Sequence, residues 1–227
     1  MDSISTPVTQ QIGRNVEERG VELHAPLYHP DLELAASCLV RDRNGRSSQF
    51  GDLYRDTKAI IIFVRNFLCY TCKEYVEDLA NIPKSFLQKA DVRLIVIGQS
   101  SHLHIQQFCS TTGYPHEIYV DSNREIYSKL GMKRGESSAS SGRSPHIKSN
   151  YISGSIKSIW RAMKSPAFDF QGDPAQQGGA IIVGPGNNVH FLHHDMNRYD
   201  QMPISTLLRC AGVETIPFVG HQPILEV

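Results

Sequence analysis

The chain has 227 residues, 40% of them hydrophobic and 20% charged, proportions that exclude wholesale disorder. Its 23 Lys and Arg balance 23 Asp and Glu. Without net charge there is little long-range attraction for a polyanion, so nucleic acid is not expected as the main partner. The longest apolar run, Ala59–Val64, is far short of the about 20 residues a spanning helix needs, and the first twenty residues lack the apolar core of a signal peptide.

Residues 1–27 are polar and aperiodic and are read as a mobile arm. Short extended runs, Ser37–Val40 and Ser47–Phe50, flank Asp42-Arg43-Asn44-Gly45, a hairpin signal. Ala59–Val64, β-branched and apolar throughout, reads as a strand covered on both faces. A helix follows at once, with Val76, Leu79 and Ala80 on one face and Pro83 expected to kink or interrupt it. Arg93–Gly98 is a second buried strand, and Ser100 or Ser101 caps a short helix toward Cys109. Gly113-Tyr114-Pro115 turns the chain into the strand Glu117–Val120, and Asp121 leads into a helix over Arg124–Leu130. Ala180–Val183 and Val189–Leu192 are strands around Gly184–Asn188, and Ile204–Cys210 is a closing helix. Parallel strands with crossover helices, then an antiparallel pair, make an α/β fold: a thioredoxin-like three-layer sandwich with a mixed central sheet and an N-terminal hairpin. The domain is placed at residues 28–213 and followed by a tail, 214–227. An insertion, 133–179, precedes the last two strands. It contains a low-complexity run, Glu136–Gly142, and a basic amphipathic helix over Ile147–Lys164, read as laid over the sheet.

Cys69-Tyr70-Thr71-Cys72 stands where an apolar strand meets a helix N-terminus. The unpaired N–H groups and dipole there favour a thiolate, whose ordinary pKa is about 8.5. Arg65, four residues upstream, would add positive charge if the strand end brings it near. Cys69, at the more exposed edge of the helix, is read as the attacking thiol, and Cys72 as the partner that closes an intramolecular disulfide. Half of a zinc site is the weaker reading. Structural zinc wants four ligands, and Cys38, Cys109 and Cys210 are scattered singly. Buried core cysteines are the other alternative. Five cysteines are too few and too odd in number for a disulfide framework, so free thiols in cytosol or nucleus are expected.

The segments FVRNFLCYTCKEYVEDL, IVIGQSS, EIYVD, REIYSKLGMKRG and FDFQGDPAQQGG, with the closing strands, resemble the peroxiredoxin-like 2 family from about Leu34 to Val213. The resemblance implies a thioredoxin-like fold and a Cys-x-x-Cys redox centre. It also implies relatives that reduce peroxides or prostaglandin-type endoperoxides with thioredoxin as donor. Peroxiredoxins proper carry Pro-x-x-x-Thr-x-x-Cys. Counting back from Cys72 places Cys69 at that threonine and Arg65 at that proline. The threonine and the downstream arginine that organise peroxide have no evident counterpart, so efficient hydrogen peroxide reduction is not implied. If Cys72 is the peroxidatic residue, the two roles reverse. Gly178 and Gly179 stand where thioredoxins place a cis-proline, and there they either let substrate backbone approach the thiols or make a tight turn.

His190, His193, His194 and Asp195 suggest metal ligands, but neighbours on a strand point to opposite faces, so a solvated strand end is expected. His102 and His104 are read as surface residues. Gly184-Pro185-Gly186 lacks the helix a dinucleotide fingerprint requires and is a hairpin turn. Ser137 and Ser144 are candidates for phosphorylation in a mobile basic loop. The expected function is a thiol-disulfide or peroxide oxidoreductase that needs no cofactor and no metal. Its substrate would be a peroxide, endoperoxide or disulfide, and thioredoxin or a similar dithiol would reset it. The competing expectation is a non-catalytic redox switch whose insertion recruits a signalling protein.

Overall fold

The computed structural model describes residues 31–137, 143–148 and 172–213. The expected N-terminal arm, the C-terminal tail and most of the helix expected over Ile147–Lys164 lie outside them.

A short helix, α1 (Leu32–Ala36), capped by the Asp31 carboxylate, precedes the hairpin β1 (Leu39–Arg41) and β2 (Ser47–Gln49). Then come β3 (Lys58–Phe63), α2 (Tyr70–Ala80), α3 (Lys84–Lys89), β4 (Val92–Gly98), α4 (Ile105–Thr112), β5 (Glu117–Val120) and α5 (Glu125–Lys129). The antiparallel pair β6 (Gly179–Val183) and β7 (Val189–His194) and the helix α6 (Ile204–Ala211) complete the order. Seven strands form one mixed sheet, β2-β1-β5-β4-β3-β6-β7. β3, β4 and β5 are parallel, with Phe63 opposite Ile97 and Ile97 opposite Tyr119. β6 runs antiparallel to β3, with Phe63 opposite Gly179.

The strands read as continuous apolar runs because both faces of the sheet are covered. Ile60, Ile62, Leu94, Val96, Ala180 and Ile182 pack with Val76, Leu79, Phe108 and Leu207 on one side. The alternate residues Ala59, Ile61, Phe63, Ile95, Ile97, Ile181 and Val183 pack with Phe50, Ile126 and Tyr127 on the other. Pro83 does more than kink its helix: α2 stops at Ala80, and Pro83 is the residue from which α3 starts. Asp121 accepts from the backbone N–H of Glu125, Ile126 and Tyr127 and so starts α5. Gly113, at φ 67°, closes α4 in the left-handed conformation that a side chain disfavours.

Tyr127 ties this framework to the loop after β3. Its fully buried hydroxyl donates to the carbonyls of Val64 at 2.7 Å and Ile97 at 2.9 Å. Tyr127→Phe keeps the ring and removes both bonds. It is expected to lower stability by about 1–2 kcal/mol, read as a lower urea midpoint at unchanged slope.

Candidate active site

The C-terminal end of β3 delivers the chain into Arg65–Leu68, and Cys69 is the N-cap residue of α2. Two anchors hold the loop. The Phe67 ring stacks on Phe108 with centroids 4.3 Å apart. It also lies against Gly98 so closely that a Cβ there would fall 2.4 Å from it. Gln99, fully buried, donates to the carbonyls of Arg65 and, at 2.8 Å, Asp173, and accepts from the Asp173 N–H at 2.8 Å.

Arg65 is itself buried, with 4% exposure. Its guanidinium donates to the carbonyls of Pro174 at 2.8 Å and Gln176 at 3.3 Å, and Nη1 stands 3.8 Å from Cys69 Sγ. The buried hydroxyl of Thr71 lies 3.1 Å from the same sulfur. A hydroxyl and a guanidinium thus meet Cys69 from positions other than those of the peroxiredoxin pattern. Cys69 is half-buried, and Cys72, one turn along, is 1% exposed. The S–H of Cys72 donates to the Cys69 sulfur and holds the Cys69 thiol well below the ordinary range. Burial opposes this, and Arg65 and Thr71 reinforce it. Burial drives the Cys72 thiol well up, and the neighbouring Cys69 sulfur adds to the rise. The surroundings thus push the two thiols in opposite directions, Cys69 down and Cys72 up. All five cysteines are free thiols.

The described parts of the insertion fold back over this centre. Glu136 Oε1 is 3.8 Å from Arg65 Nη2 and 2.5 Å from Arg198 Nε. Asp173 Oδ2 holds Arg124 and Arg134, each at 2.6 Å. His146 and Lys148 pair with Asp78 of α2 at 2.8 and 2.7 Å. Tyr70 and Tyr199 meet through their hydroxyls at 3.2 Å. Nothing in the sequence pattern singled out Glu136, Arg198 or Asp173, because each reaches the site across long stretches of chain. Thr71 stood in plain sight between the cysteines.

Several expectations are corrected here. Gly178 and Gly179 are buried and closely packed, Gly178 against the end of β3 and Gly179 against β7. A Cβ on Gly178 would lie 2.1 Å from the Phe63 carbonyl oxygen and 2.9 Å from Asp195 Oδ2. One on Gly179 would lie 2.4 Å from the His193 carbonyl oxygen. The end of β7 is solvated only in part. His190 and His194 bond the carbonyls of Gly184 and Leu130, each at 2.7 Å, and Asp195 is buried at 5% exposure. Among the described residues no group of His, Cys, Asp or Glu is placed to hold a metal ion. Ser144 is 4% exposed and its N–H donates to the Tyr199 carbonyl at 2.7 Å, so it is shielded from modification, whereas Ser137 is exposed. No helix among the described residues is long and apolar enough to cross a membrane. A groove of about 470 Å³ opens at the other end of the sheet, lined among others by Asp42, Arg43 and Lys84, and by Arg93 and Glu117, which pair with each other at 2.5–2.8 Å. It lies away from both cysteines.

Residues 78–197 match the family model of the AhpC/TSA antioxidant enzymes, a span that starts just beyond Cys72. A peroxiredoxin-like 2C of Bos taurus is 57% identical over 97% of this chain and 97% of its own. A prostamide/prostaglandin F synthase of Aquarana catesbeiana is 26% identical over 85% of this chain and 94% of its own. The structure of reduced Prx3 from Vibrio vulnificus superposes with a TM-score of 0.54 at 10% identity, covering 78% of this chain and 94% of that one.

Proposed function

The chain belongs to the AhpC/TSA antioxidant enzyme family, in its peroxiredoxin-like 2C group, and from that membership we propose that it is a dithiol oxidoreductase with Cys69 as nucleophile and Cys72 as resolving thiol. The observation that carries this reading is the asymmetry of the pair. A half-buried sulfur lies 3.8 Å from a buried guanidinium, beside a fully buried thiol that keeps its proton.

Against a hydroperoxide, the Cys69 thiolate attacks one oxygen of the O–O bond. That bond breaks, the other oxygen leaves as alkoxide and takes a proton, and Cys69 becomes a sulfenic acid. Cys72 then attacks the Cys69 sulfur, water leaves and a disulfide forms. With an endoperoxide the same two electrons open the ring to two hydroxyls. The name of the Aquarana relative makes a prostaglandin-type endoperoxide a substrate to try. Disulfide substrates would react through a mixed disulfide. A thioredoxin-type dithiol returns Cys69 and Cys72 to thiols, and a reducing compartment, cytosol or nucleus, suits both. No metal or organic cofactor enters these steps.

A redox switch that turns over slowly is the second reading. It is favoured by Glu136, whose carboxylate stands against Arg65 and Arg198, where an incoming peroxide would seek a cation. A coupled assay separates the two readings. The full chain with thioredoxin, thioredoxin reductase and NADPH is expected to consume NADPH continuously on addition of an organic hydroperoxide. One stoichiometric burst followed by no turnover would leave the switch.

A further inference from the structure

Closing the disulfide requires Cys72 to lose its proton in a place that solvent does not reach, since the side chain is 1% exposed. Beside it lies a small cavity of about 10 Å³, lined by Cys72, Tyr75, Asp195, Gln201 and Met202 together with apolar residues of β3 and β6, room for about one water. Two of those residues carry buried polar groups, and one of them is unpaired. Gln201 is 8% exposed, and its buried Oε1 has no hydrogen-bond partner. Asp195 is 5% exposed. A buried amide oxygen left unpaired is costly, and a water in this cavity, between the Gln201 amide and the Asp195 carboxylate, would satisfy it.

Asp195 is also held in place. Its N–H donates to the Gly178 carbonyl at 3.1 Å, and its Oδ2 occupies the space a Cβ on Gly178 would need, 2.9 Å away. Its Oδ1 is 3.4 Å from His193 Nε2, which also bonds the Asp200 carbonyl at 2.8 Å. The His193 side chain is 20% exposed, so it connects this buried carboxylate to solvent.

We propose that Asp195 and His193 form a proton-exit device for Cys72, reached through a water held between Cys72, Asp195 and Gln201. The proposal rests on Cys69 and Cys72 acting as a dithiol. The Cys72 sulfur attacks the oxidised Cys69 sulfur, the S–S bond forms, and the bond from Cys69 to its leaving group breaks; hydroxide, alkoxide or thiolate departs with the electron pair and takes a proton from solvent. The Cys72 proton passes by way of the water to the Asp195 carboxylate. The imidazolium of His193 then faces one carboxylate fewer, with Asp200 Oδ2 still 3.7 Å from its Nε2, and gives its other ring proton to solvent. The groups facing Asp195 suit this role. Burial, with Asp200 adding to it, raises its pKa to about 6 against the pull of His193 and Arg65. Burial works against the charged form of His193, yet Asp195 and Asp200 leave its pKa raised. Tyr75 and Tyr127, whose own ionisation Asp195 opposes, stay neutral.

The test uses the reduced full chain and 4,4′-dithiodipyridine, which releases a chromophore in two steps. Cys69 first forms a mixed disulfide and expels one thiopyridone, and Cys72 then displaces the second. Signal absent from Cys72→Ser is assigned to Cys72. Asp195→Asn is expected to slow the second phase about 10- to 100-fold at pH 7 and to change the first by less than about twofold. The wild-type second phase is expected to rise with pH through the Asp195 titration. In Asp195→Asn it should follow the higher ionisation of Cys72 itself. His193→Gln removes a positive neighbour, so the midpoint of the second phase should move to higher pH. Equal second-phase rates and pH profiles in wild type and Asp195→Asn would overturn the device and leave the dithiol intact. So would a loss shared equally by both phases. If Asp195→Asn does not fold, an unmoved midpoint in His193→Gln overturns the device instead. A wild-type chain with no second phase would remove the dithiol reading itself.

Discussion

Replacing Cys69 with serine is expected to lower single-turnover reaction with an organic hydroperoxide by about three orders of magnitude or more, the scale seen when a nucleophile is removed. A hydroxyl in the same place has far too high a pKa to ionise beside Arg65, and no other thiol is placed to replace it. Cys72 is 1% exposed and its thiol is pushed well above the usual range. Burial likewise raises the Cys38 and Cys109 thiols. Cys72→Ser should behave differently. It keeps Thr71 at 3.1 Å and Arg65 at 3.8 Å from the Cys69 sulfur and should complete one turnover. It then stops with Cys69 as a sulfenic acid that dimedone traps. Mass spectrometry of both variants after one equivalent of oxidant distinguishes the roles. Dimedone on Cys72 in the Cys69→Ser protein, with retained rate, would reverse the assignment.

Arg65→Met should produce the second large change. Its guanidinium lowers the Cys69 thiol together with Cys72 and Thr71, so its loss raises that pKa by about 1–2 units, the range expected for a nearby charge. From a folded pKa of about 5, that rise leaves about half or more of Cys69 ionised at pH 7, so the rate there falls by about twofold at most, and the roughly tenfold loss is expected near pH 5. Near pH 9 the variant approaches wild type, because a thiolate of higher pKa is the stronger nucleophile. Alkylation by iodoacetamide across pH reads the shift directly, and an unmoved Cys69 profile would remove Arg65 from thiolate stabilisation. The same change leaves the carbonyls of Pro174 and Gln176 without this donor, at a cost of about 1–3 kcal/mol. The sign of the pH linkage follows from the depressed thiol. Its folded pKa lies below the unfolded value of about 8.5. The stabilisation it lends the reduced fold is therefore full above that value and lost as pH falls through the folded pKa. Arg65→Met should shrink this pH dependence of the reduced protein, measured by urea denaturation.

The strands were legible in the sequence because their burial is encoded twice over. In Ala59-Ile60-Ile61-Ile62-Phe63 every residue is apolar, since each alternate side chain meets a different layer. Helix starts were legible through local chemistry, with Asp121 and Ser101 binding backbone N–H groups a few residues on. α1 was not, because five residues carry too little periodicity to stand out from a coil. Cys69, Cys72 and Arg65 were legible because strand, loop and helix are consecutive, so their proximity is a property of one short segment.

The sequence by itself determined the layered α/β architecture, the position of the two cysteines at a helix N-terminus and a cation four residues before them. All of these depend on interactions between residues close in the chain or on the periodicity of burial. Only the tertiary structure decided that Arg65 is buried and locked by the carbonyls of Pro174 and Gln176, more than a hundred residues away. Only it decided that Gly178 and Gly179 are closely packed, and that Glu136 stands against both Arg65 and Arg198. It also brought Asp195 to the cavity beside Cys72. A buried charge or an orphaned amide has no local signature. Its environment is made by β6, β7 and the returning insertion, which meet β3 and α2 only once the sheet has formed.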